Sequence, residues 1–170
     1  MGIIKKYLHP RLYLSSVQQL DLEKLKQRGI KALLFDLDNT LLPRHQKQFS
    51  ASTLQWLREL EAKGLKWMVV SNNNHFERLE SLLQPLGIPY IYKAKKPGKK
   101  SFLRAAASLK LKPDEVAVVG DQVITDMLGA NRAGIYSILV QPLPGKEYWG
   151  TTLINRRLER LIIKNLKPVR

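Results

Sequence analysis

Five short apolar runs punctuate the chain, at residues 32–35, 67–70, 89–92, 116–119 and 135–140. Most are apolar without alternation, as strands of a parallel sheet covered on both faces should be. Apolar residues recur at helical spacing between them. Leu54, Leu57 and Leu60 follow the candidate caps Ser50 and Ser52 and are closed by Gly64. Phe76, Leu79, Leu82 and Leu83 form a second stripe, ended by Pro85 and Gly87. Phe102, Leu103, Ala106 and Leu109 form a third, and Ile124, Met127 and Leu128 a fourth, closed by Gly134. Strand and helix alternating at this rhythm predict βαβ units. Right-handed crossovers then give a three-layer α/β sandwich around a parallel sheet of about five strands.

Two flanks lie outside this core of residues 31–140. Leu20, Leu22, Leu25 and Ile30, with Asp21 as a cap, predict a short helix ending at Gly29, so residues 1–30 read as a helical N-terminal segment. Leu153, Ile154, Leu158, Leu161 and Ile162 recur at helical spacing, interleaved with Arg156, Arg157, Arg160 and Lys164. They predict a basic amphipathic helix over about 151–164, which either packs on the domain or lies on an anionic membrane. With 170 residues, 44% of them apolar, the chain is expected to form one domain with a substantial core.

Charge changes the picture more than composition does. The chain carries 29 basic against 14 acidic residues, a net +15. Such an excess favours an anionic partner: nucleic acid, anionic lipid or a phosphorylated substrate. A solvated basic surface without a target is the plainer alternative. The absence of cysteine removes disulfides and thiolate metal sites, and three histidines without a close pair speak against zinc. No apolar stretch nears the roughly 20 residues of a membrane-spanning helix, and the first ten residues lack the apolar run of a signal peptide. The expectation is a cytoplasmic protein, with peripheral contact to the inner face of the membrane as an extension.

The candidate chemistry stands at the strand ends, the edge where ligands bind in parallel α/β folds. The first strand runs into Asp36-Leu37-Asp38-Asn39-Thr40-Leu41. Two carboxylates two residues apart where an apolar strand stops repel one another and resist burial, although Asp and Asn also serve as turn residues. The second strand ends in Ser71-Asn72-Asn73 at an expected helix start, a setting for phosphate on backbone N–H groups or for a plain cap. After the third comes the lysine-rich run 95–100, which a solvated loop would also explain. The fourth ends in Gly120-Asp121-Gln122 with Asp126 beyond, carboxylates suited to capping a helix or holding a hard cation. Each segment alone is modest; the ordered set of Asp, Ser, Lys and Asp in complementary positions is not what chance caps supply.

The order Asp36-x-Asp38-x-Thr40, Ser71, Lys96-Pro97 and Gly120-Asp121 followed by Asp126 resembles motifs I to IV of the haloacid dehalogenase-like (HAD) phosphatases. The match spans about residues 31–140. Its wording, with Ser71-Asn72-Asn73 and Thr125-Asp126, resembles the YqeG-like branch, which includes phosphatidylglycerophosphate phosphatases. The resemblance implies a HAD-like Rossmannoid fold and an aspartyl-phosphate mechanism. Asp36 is then the nucleophile and Asp38 the general acid and base. Ser71, Asn72 and Lys96 bind phosphate, and Thr40 braces the nucleophile turn. Mg²⁺ is held by Asp36, the Asp38 carbonyl, Asp121 and Asp126. Lys95 competes with Lys96, which the following proline makes the better match.

Only a turn and one helix fit between Asp36 and Ser71, and one helix and one short strand between Ser71 and Lys96. Neither gap holds a separate cap domain, so the resemblance implies a capless enzyme with an open site, suited to a bulky substrate or to closure by a partner chain in an oligomer. An open site, a +15 charge and a basic tail suggest a lipid phosphate presented at an anionic surface. The alternatives are a phosphatase for soluble or nucleic-acid phosphates, and a catalytically silent RNA- or ribonucleoprotein-binding module, against which the intact Asp36 and Asp38 argue.

Overall fold

The computed structural model describes residues 7–144. The predicted basic helix at 151–164 therefore lies outside the described residues.

Six strands form one sheet: β1 (Leu12–Leu14), β2 (Ala32–Phe35), β3 (Lys66–Val70), β4 (Tyr90–Ile91), β5 (Val116–Gly120) and β6 (Tyr136–Val140). Their order is β1-β6-β5-β2-β3-β4, and every pairing is parallel. Helices α1 (Leu22–Gln27), α2 (Ala51–Ala62), α3 (Phe76–Leu83), α4 (Lys99–Ser108) and α5 (Leu128–Arg132) connect them.

The unbroken apolar runs have a direct explanation, because each strand feeds two cores. Leu33 and Phe35 of β2 pack with Trp67, Val119 and Ile138 under α1, α2 and α3, together with Leu25, Trp56, Leu60 and Leu79. Ala32 and Leu34 face the other way, with Met68, Val118, Phe102, Ala106 and Ala130 beneath α4 and α5. All four residues of β2 are buried, so strict alternation of polar and apolar residues has no place there. Phe35 sits edge-on to both Trp56 and Trp67, with ring centroids 5.8 and 6.0 Å away.

The caps follow local rules. Ser50 accepts a hydrogen bond from the Thr53 amide and starts α2, and Asp21 does the same from Lys24 for α1. Gly64, at φ +78°, takes the left-handed turn after α2.

Two features differ from the pattern read along the chain. The N-terminal segment is not simply helical: β1 precedes α1 and extends the sheet from five strands to six. It pairs with β6 in the register Tyr13 with Leu139, and the Arg11 amide donates to the Ser137 carbonyl at 2.9 Å. Asn131 Nδ2 holds the preceding carbonyls of Tyr7 and His9, at 2.8 and 3.0 Å. The fourth helical stripe also divides, into a π-helical turn over Val123–Met127 and then α5.

No separate cap domain interrupts the described residues. A loop with two turns and then α2 link β2 to β3, and α3, a short 3₁₀ turn and β4 lie between Ser71 and Lys96.

Candidate active site

β2 lies in the middle of the sheet, between β5 and β3. Its carboxyl end delivers Asp36, whose amide donates to the Val119 carbonyl at 2.9 Å, so the ladder continues one residue beyond the strand. The chain then turns sharply. Asn39 adopts φ +64°, donates to the Leu42 carbonyl at 2.8 Å, and accepts from the Arg44 amide at 3.2 Å. An asparagine tolerates this left-handed conformation better than most residues.

The centre of the site is a buried lysine between two carboxylates. Lys96 Nζ lies 2.6 Å from Asp36 Oδ1 and 2.7 Å from Asp126 Oδ1. The three side chains are 2%, 9% and 1% exposed, so the ion pairs are removed from water. Asp121, at the end of β5, completes the group: carboxylate oxygens of Asp36, Asp121 and Asp126 all lie within 4.8 Å of one another. Thr40 is buried beside them and donates its hydroxyl to Asp121 Oδ1 at 3.3 Å, reaching across to β5.

Two local features place Asp126. Within the π-helical turn its Oδ2 accepts from the Gln122 amide at 3.2 Å. Its side chain also passes directly over Gly120, where a Cβ would come within 2.7 Å of Asp126 Cβ and closer still to the carboxyl group. Glycine is what the strand end requires for that approach.

This electrostatic setting shifts Asp36, Asp121 and Lys96. Burial, with the negative charges of Asp126 and Asp38 nearby, raises Asp36 from its ordinary 3.8 to about 6, against the lowering pull of Lys96. Burial likewise pushes Asp121 well above the usual carboxylate range, helped by Asp36 and Asp126. Burial by itself would depress Lys96, but the carboxylates of Asp126 and Asp36 outweigh it and hold the ammonium above the ordinary lysine range.

Lys96 and not Lys95 faces this cluster. Lys95 is exposed, while the Lys96 backbone is clamped by Asn72, whose Oδ1 accepts from the Lys96 amide at 2.7 Å and whose Nδ2 donates to its carbonyl at 3.1 Å. Asn72 is therefore a brace for the lysine loop, and its amide is already engaged at both ends. Ser71 is buried at the end of β3, and its Oγ accepts from the Asn73 amide at 3.1 Å. The expected helix start at Ser71 is displaced: α3 begins only at Phe76, with His75 at its cap.

Asp38 stands to one side of the lysine cluster. Its Oδ2 accepts from Asn73 Nδ2 at 3.1 Å, and Arg78 Nη1 lies 2.8 Å from its Oδ1 as a close ion pair without hydrogen-bond alignment. Arg78 Nη2 donates to the Arg44 carbonyl at 2.8 Å, so the guanidinium ties α3, the loop after β2 and Asp38 together. The motif pattern leaves Arg78 out, and it includes Asn73 without giving it a role. Asn73 had a visible signal in the amide run at 72–74; Arg78 had none, because a charged residue on an amphipathic helix ordinarily faces water.

The family described as "Mitochondrial PGP phosphatase" matches residues 3–142. A Bacillus subtilis protein named "Probable phosphatase YqeG" is 39% identical over 165 residues, covering 97% of this chain and 95% of that protein. A Chlamydomonas reinhardtii protein named "Phosphatidylglycerophosphate phosphatase 1, chloroplastic" is 30% identical over 166 residues, covering 88% of this chain and 59% of the algal protein. The crystal structure of a HAD phosphatase from Thermococcus onnurineus superposes with a TM-score of 0.56 over 79% of this chain and 98% of that one. At 18% identity the superposition speaks to the fold.

Proposed function

The chain belongs to the PGP phosphatase family of HAD-type phosphatases, and from that premise we propose a Mg²⁺-dependent hydrolase of lipid phosphomonoesters, phosphatidylglycerophosphate foremost, working through an aspartyl-phosphate on Asp36. The observation that carries the reading is the buried Asp36–Lys96–Asp126 triad with Asp121 beside it.

The donor set suits a hard divalent cation. Three carboxylates converge without sulfur or imidazole, which fits Mg²⁺ better than a softer metal. Burial first, and the neighbouring carboxylates second, raise the affinity of Asp36 and Asp121 for protons, and a cation would offset both. Asp36, Asp121 and Asp126 would hold the ion with the Asp38 carbonyl, and when bound it would neutralise charge on the phosphoryl oxygens.

The remaining work falls to the chain itself. Asp36, ionised by its contact with Lys96, attacks phosphorus and splits hydrolysis into two displacements. Asp38 delivers a proton to the leaving alcohol and takes one from the incoming water. Asn73 and Arg78 orient that carboxyl group. Ser71, the backbone around Asn72 and Lys96 receive the phosphoryl oxygens, and the Asn72 side chain keeps the lysine loop in place. The absence of a cap over residues 7–144 leaves room for a substrate with a bulky apolar remainder.

The test is Mg²⁺-dependent phosphate release from phosphatidylglycerophosphate measured beside sugar phosphates and nucleotides. Preference for the lipid is expected, and Asp36→Asn should lose at least about 10³-fold in turnover, as removal of a nucleophile does. Equal rates on all substrates would remove the lipid assignment and leave the phosphatase chemistry. Near-normal turnover by Asp36→Asn would remove the mechanism.

A further inference from the structure

Next to the catalytic cluster, the carboxyl end of β4 carries a surface that phosphoryl transfer does not use. Among the described residues three large apolar or aromatic side chains are exposed, and two of them meet here: Phe76, at the first turn of α3, and Tyr92, just past β4. They are 42% and 38% exposed, and their ring centroids lie 5.3 Å apart in an edge-on pair. Tyr90 adds a third ring 6.4 Å from Phe76.

One cation lies against the rings and a second follows in the same loop, with the acidic Glu80 near Tyr90. Lys93 Nζ lies 5.7 Å from the centroid of the Tyr92 ring, and Lys93 and Lys95 are both exposed. Both lysines adopt left-handed backbone, at φ +47° and +55°, where Gly or Asn would sit with less strain. Ala94 and Lys96 are buried between and after them, so one loop sends Lys96 into the site and two lysines to the surface. The loop is stitched to the end of β3: the Lys93 amide donates to the Asn73 carbonyl at 3.1 Å and the Ala94 amide to the Ser71 carbonyl at 3.0 Å. The aromatic and basic patch is therefore rigidly attached to the rim of the site.

We propose that Phe76, Tyr92, Lys93 and Lys95 form a docking surface for an anionic lipid bilayer, which sets the open site against phosphate groups at that interface. The inference rests on the lipid-phosphate reading above. Its chemistry is that of an interfacial anchor: rings with an apolar body settle at the headgroup boundary, and adjacent lysines meet lipid phosphates. The net charge of +15 gives the whole chain the matching sign. Single-stranded RNA is the competing anion, but stacking needs open ring faces. Here the rings engage each other edge-on, and Lys93 lies over one of them.

The experiment is co-sedimentation of the full chain with vesicles of phosphatidylglycerol and phosphatidylcholine, against phosphatidylcholine alone. Three proteins are compared: wild type, Phe76→Ser/Tyr92→Ser and Lys93→Gln/Lys95→Gln. Wild type should bind the anionic vesicles, and each double variant should lower the partition coefficient about tenfold or more. Both variants should hydrolyse p-nitrophenyl phosphate and detergent-dispersed phosphatidylglycerophosphate at the wild-type rate, because neither touches the catalytic groups. Undiminished vesicle binding by both variants overturns the docking surface while dispersed-lipid hydrolysis still supports the substrate. So does wild type that ignores the vesicles, or that binds RNA through these residues instead. If wild type releases no phosphate from the dispersed lipid, the underlying substrate reading fails as well.

Discussion

Replacing Lys96 by Met tests the buried triad most directly. The ammonium sits 2.6 and 2.7 Å from two carboxylates that are themselves nearly inaccessible. Without it, Asp36 and Asp126 remain buried with Asp121, with carboxylate oxygens within 4.8 Å of one another and no neutralising charge among them. Removing one partner of a buried ion pair typically costs about 3–5 kcal/mol, a large share of the roughly 5–15 kcal/mol that stabilises a domain. With a urea slope of about 2 kcal/mol/M, the unfolding midpoint should fall by about 1.5–2.5 M.

The loss should also depend on pH. Asp36 in the folded protein titrates near 6 instead of 3.8, so the folded state binds more protons than the unfolded one between those values. Its contribution therefore declines as pH rises through that window. Without Lys96 the folded carboxylates hold protons more tightly still, and the variant should be weaker relative to wild type at pH 8 than at pH 5. Urea melts at both pH values in the presence of a chelator give the answer. A midpoint shift below about 0.5 M at pH 8, or equal losses at the two pH values, would refute the picture of a lysine neutralising a desolvated acid cluster.

Gly120→Ala should displace Asp126, whose side chain occupies the space of the new methyl group; a loss of about 1–3 kcal/mol in thermal or urea unfolding is expected, with a large fall in turnover. Arg78→Met should lower kcat/KM by about 10–100-fold while leaving the Mg²⁺ dependence unchanged, and Arg78→Lys should recover little because one ammonium cannot replace the guanidinium at both Asp38 and the Arg44 carbonyl; steady-state kinetics over a Mg²⁺ titration decides. Ser71→Ala should reduce turnover by about tenfold, far less than Asp36→Asn, because the surrounding backbone donors remain; phosphate-release rates on one substrate compare the two.

Much of this architecture was legible in the chain because local chemistry and burial agree. The runs around Leu33 and Val118 are apolar throughout since both sheet faces are covered, and Ser50 and Asp21 cap the helices their positions announce. β1 was not legible: its pairing depends on β6, more than a hundred residues away, and three residues carry too little periodicity to betray it. The contact of Arg78 with Asp38 is hidden for a related reason. Its sequence neighbours make it one more charge on a helix, and only the packing of α3 beside residues 44–46 brings it to Asp38. The π-helical turn likewise answers to a distant demand, since it aims Asp126 at Lys96. Asp36 and Asp121 were readable because charged residues where apolar strands end have few structural uses, whereas Lys96 stood out from its lysine-rich run only through the family resemblance and the proline after it.

The pairing of β1 with β6 has a practical consequence for anyone trimming this protein. A fragment beginning at Lys31, where the motif-bearing core starts, would lack the strand that covers β6 and would leave the backbone of Ile138–Val140 without its partner. Unsatisfied parallel edges of that kind recruit strands from other molecules. Shortening the chain from the front should thus yield insoluble or domain-swapped material even though every motif residue is retained.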